Sequence, residues 1–91
     1  MTLPEVLDHA IRRVRSGAVV TFSRGGAHSN QVRLMPDRTI ERGYRASGRR
    51  WIVETRPGTE YEGWSQWSNF LGFSIDGATA TDWKILVVEE Q

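Results

Sequence analysis

Ninety-one residues, a net charge of +1 and no cysteine allow one domain with a small core. They exclude disulfides and thiolate metal sites and fit a reducing compartment. No apolar run approaches membrane-spanning length, and the start, MTLPEVLDHAIRRV, mixes acids and arginines with its apolar residues, which predicts neither a signal peptide nor a membrane anchor.

The even net charge hides a lopsided distribution. Residues 1–56 hold eleven arginines against five acids, and residues 57–91 hold Lys84 against six acids. Arginine's planar fork pairs bidentately with phosphate and stacks on flat rings, which lysine does not do. A coding bias toward arginine is the plain alternative for the residue type. Pairing of the basic and acidic parts, within a chain or between subunits, is the alternative for the clustering.

In chain order, Leu3, Val6, Leu7, Ala10, Ile11 and Val14 recur at the spacing of one helical stripe. Thr2 with Glu5 forms a capping box, Pro4 sits in the first turn and Gly17 is a stop, so a helix is predicted from about 3 to 16. AVVTFS (18–23) reads as a strand, RGGAHSN (24–30) as a loop and QVRLM (31–35) as an alternating strand broken at Pro36. TIERGYRA (39–46) and RWIVET (50–55) flank Ser47-Gly48-Arg49 as a hairpin. RPGTEYEG (56–63) is a loop. WSQWSNFLGFSI (64–75) holds one strand with a break near Gly72, and DGATAT (76–81) is a turn or one helical turn. WKILVV (83–88) is a closing strand with Trp83, Ile85 and Val87 on one face. The expected fold is α+β: an N-terminal amphipathic helix packed on an antiparallel sheet of about five to six strands, in a single domain over 1–91.

The motifs of catalysis are missing. There is no nucleophile elbow, P-loop or dinucleotide fingerprint, and nothing ties His28 to a nucleophile. With His9 and His28 alone, no metal site is expected. No enzyme and no cofactor is the reading. Two features point instead to binding. Ser23-Arg24-Gly25-Gly26-Ala27-His28-Ser29-Asn30 follows a strand, where glycines let successive N–H groups turn toward one anion and Arg24 and His28 add charge or hydrogen bonds; an ordinary hairpin loop is the plain alternative. Four tryptophans, among them Trp64 and Trp67, offer flat rings for bases, at roughly 1–3 kcal/mol per stacked base. Trp51 and Trp83 read as packing residues. Asp82, after a polar turn, either fixes that turn or meets a ligand hydroxyl.

The order LPEVLDHAIRRV, VVTFSRGG (19–26), QVRLMP (31–36) and SIDGATATDWKIL (74–86) resembles the Thoeris anti-defence 2 family of small phage domains. The resemblance covers most of the chain, and its most distinctive part is Asp76 followed by Ala80-x-Asp82-Trp83-x-Ile85. It implies a sponge that sequesters cyclic nucleotide immune signals without cleaving them, either glycosidically cyclised ADP-ribose or cyclic dinucleotides. It also implies a homo-oligomer, a tetramer, with pockets at subunit interfaces, working in the host bacterial cytoplasm. Carried onto this chain, the expected ligand-binding residues are Arg24, Gly25, His28, Trp64, Trp67, Ser74, Asp76 and Asp82. Two departures stand out: Ala27 or His28 occupies the place of a family aromatic, and Leu71-Gly72-Phe73-Ser74 replaces a Trp-x-Pro-Ser run. The alternative function is an anti-CRISPR-like inhibitor that binds a host defence protein complex. A nucleic-acid binder is not expected, because the net charge lacks a basic surplus.

Overall fold

The computed structural model describes residues 1–25, 30–37, 50–58 and 66–90. Among these residues one N-terminal helix, α1 (Leu3–Arg15), packs on a five-stranded antiparallel sheet, an α+β fold. The strands are β1 (Val19–Arg24), β2 (Gln31–Pro36), β3 (Trp51–Arg56), β4 (Ser68–Asn69) and β5 (Trp83–Glu89), in the order β4-β3-β2-β1-β5. A five-residue helix, α2 (Ile75–Thr79), precedes β5. Among the described residues no helix is long and apolar enough to cross a membrane.

The capping box forms as its sequence requires. Thr2 Oγ1 accepts from Glu5 N at 3.3 Å, and Glu5 Oε1 accepts from Thr2 N at 3.0 Å. These bonds from Thr2 hold the Glu5 carboxyl below its ordinary value. Thr2→Ala is expected to cost about 1 kcal/mol of stability, read from urea unfolding.

Leu3, Val6, Ala10 and Val14 of α1 bury against Val20, Phe22, Val32 and Leu34 of the two central strands. Alternation then sends Thr21, Ser23, Gln31, Arg33, Glu54 and Arg56 to the other face of the sheet. Trp51 and Val53 continue the core on the α1 side, where the guanidinium of Arg15 stands 6.0 Å from the Trp51 ring. Arg13 reaches Glu90 at 3.9 Å and Arg24 reaches Asp82 at 3.0 Å, so the basic front of the chain does pair with its acidic end within one chain.

Two details differ from the sequence reading. The register of β1 against β5 skips Leu86, since Thr21 pairs with Val87 and Phe22 with Ile85. That bulge turns Val87 outward and puts Val88 in the core beside Ile85 and Trp83. Second, of the strand expected within 64–75, only Ser68 and Asn69 pair among the described residues, with Thr55 and Glu54. Gly72 then takes a left-handed φ of 117°, and Phe70 and Phe73 reach the core from irregular backbone. Strand β2 ends at Pro36, opposite Trp51, where the sequence reading expected it to stop. The expected strand 39–46 and the hairpin turn at 47–49 lie outside the described residues.

Candidate functional site

Helix α1 covers only part of the core face of the sheet. The rest lies beneath the segment from Phe70 to Gly77, and a cavity of about 260 Å³ remains between them. Its inner wall is aromatic. Trp83 meets Phe22 and Phe73 edge to face, with centroids at 5.8 and 5.6 Å, and Phe73 meets Phe70 at 4.6 Å. The indole is fixed because Nε1 donates to the Gly77 carbonyl at 2.8 Å. Val32 and Thr55 form the floor, and Arg24, Asn30 and Ser74 bring polar groups to the lining.

Arg24 stands at the end of β1, opposite Trp83 across the ladder. Its Nε donates to Asp82 Oδ1 at 3.0 Å, while Gly25 N donates to the Asp82 carbonyl at 3.2 Å. A side chain at Gly25 would place its first carbon 3.6 Å from Asp82 Oδ2, an ordinary contact distance, so the approach does not itself require glycine. Asp82 thus engages one edge of the guanidinium. The terminal nitrogens of Arg24 make no further hydrogen bond among the described residues. Both side chains are well exposed, 38% and 47%, so the pair adds little to stability and acts mainly to orient the fork.

The Arg24 guanidinium holds the Asp82 carboxyl below the usual aspartate range, against a smaller opposing effect of desolvation. A carboxyl depressed in the folded state contributes its stabilisation above the unfolded value and loses it as pH falls through the folded one. The orientation of Arg24 is therefore expected to hold from neutral pH down through the ordinary aspartate range and to fail only below it. Carbon-13 NMR titration of the Asp82 carboxyl, followed beside the Arg24 Nε–H signal, checks this.

Of the residues expected from sequence, Arg24, Gly25, Ser74 and Asp82 come together at this end of the sheet. Ser74 caps α2 by accepting from Gly77 N at 3.1 Å, which leaves its hydroxyl hydrogen as a donor toward the cavity it lines. Asp76 is exposed in the first turn of α2 and does not line the cavity. Trp67 lies elsewhere, on the sheet face turned away from α1. His28 and Trp64 fall outside the described residues. The sequence reading missed Phe70, Phe73 and Thr55 as lining residues, and had Asn30 at the end of its glycine loop without a role. The first two had a signal, a Phe-x-Gly-Phe run that no strand period explains; Thr55 enters only through the sheet register.

No family model, no curated protein and no solved structure matches the chain. What the arrangement can do must come from its chemistry. It offers one oriented cationic fork at the mouth of an aromatic cavity, with hydroxyl and amide groups around it. That combination suits an anionic ligand with a flat apolar part.

Proposed function

We propose that this chain is a binding module that sequesters a cyclic nucleotide immune signal without cleaving it. The observation that carries the reading is the Arg24–Asp82 pair at the mouth of the Phe70–Phe73–Trp83 cavity. Arg24 grips a phosphate through its terminal N–H groups, Asp82 positions it, and Ser74 and Asn30 hydrogen-bond to ribose or base. The resemblance to the Thoeris anti-defence 2 family supports the same ligand class. Among the described lining residues no nucleophile is paired with a base, which supports retention rather than hydrolysis.

At about 260 Å³ the cavity is below the range of roughly 300–1,000 Å³ that encloses a drug-sized ligand. It accommodates a nucleoside-sized half of a dinucleotide, and the proposed homo-oligomer, a tetramer, supplies the rest of the enclosure from a neighbouring subunit. The proposed setting is the host bacterial cytoplasm, where such signals are made. Calorimetry with cyclic ADP-ribose isomers and cyclic dinucleotides tests the reading: saturable heat with at least one of them is expected, and no heat with any from a folded sample overturns it.

A further inference from the structure

The sheet face turned away from α1 carries a second group of side chains that the Arg24 cavity does not use. The register sets Gln31 opposite Arg56 and Arg33 opposite Glu54, all on this face. Trp67, just before β4, lies over them with its ring centroid 4.4 Å from the Cζ of Arg33 and 4.4 Å from the Cζ of Arg56. The two guanidiniums are therefore no farther apart than twice that distance.

Both are already oriented. Glu54 Oε2 accepts from Arg33 Nε at 2.8 Å and from Nη2. Gln31 Oε1 accepts from Arg56 Nε at 3.0 Å and Nη2 at 2.9 Å, and Gln31 itself is 4% exposed, so its amide is fixed by burial. Each arginine spends the same edge on its cross-strand partner. Among the described residues the Nη1 group and one Nη2 hydrogen of each make no further hydrogen bond. Among the described residues, too, the charges do not balance: two guanidiniums share one carboxylate, and the partner of Arg56 is a neutral amide. Like charges this close repel, and contact with one indole offsets only part of that.

We infer that Arg33 and Arg56, beside Trp67, bind the phosphate of a phosphomonoester, one anion bridging both guanidiniums. A carboxylate has two oxygens and satisfies a single fork. A terminal phosphate presents three oxygens and close to two negative charges at neutral pH, enough for both open forks and for the unbalanced cation. A cyclic diester has a single charge per phosphate and suits this place less, so the ligand class differs from that of the Arg24 cavity. Half-buried Trp67 gives an aromatic ester group a wall to rest against.

The test follows the arginine Nε–H signals of the full chain by NMR, with inorganic phosphate, phenyl phosphate and acetate added at constant ionic strength. Saturable shifts of Arg33 and Arg56 with the phosphates, and none with acetate, are expected. Arg56→Gln weakens phosphate binding by roughly tenfold or more. Arg56→Lys, which keeps the charge and loses the fork, weakens it less; thermal melts verify that both variants fold. Tighter binding of phenyl phosphate than of inorganic phosphate identifies the ester as the ligand, and equal binding identifies free phosphate at the same site. Acetate shifts as large as those with phosphate, or a folded Arg56→Gln that binds phosphate as well as the parent chain, overturn the inference.

Discussion

Replacing Trp83 by Ala lowers the unfolding free energy by about 3–5 kcal/mol, the range for removing a buried aromatic from a core. Trp83 is 5% exposed, touches Phe22 and Phe73 edge to face, and ties α2 to β5 through the Gly77 carbonyl. Domains of this kind have about 5–15 kcal/mol in total, so the variant stands near the limit of folding. The thermal midpoint falls by at least about 12 °C at this chain length. Trp83→Phe keeps a ring but orphans the Gly77 carbonyl, and costs about 1–3 kcal/mol from that hydrogen bond alone, before any loss of packing. Urea unfolding of both variants gives the comparison. A Trp83→Ala change within 1 kcal/mol of the parent contradicts the core assignment, a margin well under the loss of about 2 kcal/mol or more seen for large core truncations.

Arg24→Gln folds normally and binds the ligand more weakly. Removing one charge-assisted contact to phosphate weakens binding roughly ten- to hundredfold, read by calorimetry. Asp82→Asn weakens it less, because the fork remains but is no longer held. The double variant separates the roles. If Asp82 acts only through Arg24, the pair Arg24→Gln with Asp82→Asn binds no worse than Arg24→Gln alone; an additive loss means that Asp82 touches the ligand itself.

How much of this was legible in the sequence depends on whether a feature is local. Helix α1 was readable because its stripe, its capping box and the stop at Gly17 all lie within one continuous segment. The buried role of Trp83 was readable for a similar reason, since it opens a run of apolar residues. The bulge at Leu86 was not. Ile85, Leu86, Val87 and Val88 are all apolar, so nothing in their own order says which ones face the core; the pairing with Thr21 and Phe22 decides it.

The aromatic segment misled for a different reason. Phe70 and Phe73 pack their half-buried rings against the core, and a left-handed Gly72 lets irregular backbone deliver both, so a strand was not needed. Site residues divide the same way. Arg24 and Gly25 carried a visible loop signal next to a strand. The meeting of Arg24 with Asp82, fifty-eight positions away, and of Arg33 and Arg56 with Trp67, exists only in the folded register.

Native mass spectrometry of the purified chain after exposure to cell extract containing activated immune signals tests the central claim most directly. The predicted spectrum shows a homo-oligomer, a tetramer, carrying a cyclic nucleotide whose released mass is that of the intact signal, and Arg24→Gln of the same oligomeric state arrives empty. A parent chain that arrives empty from the same extract, or releases a linearised product, contradicts the proposal.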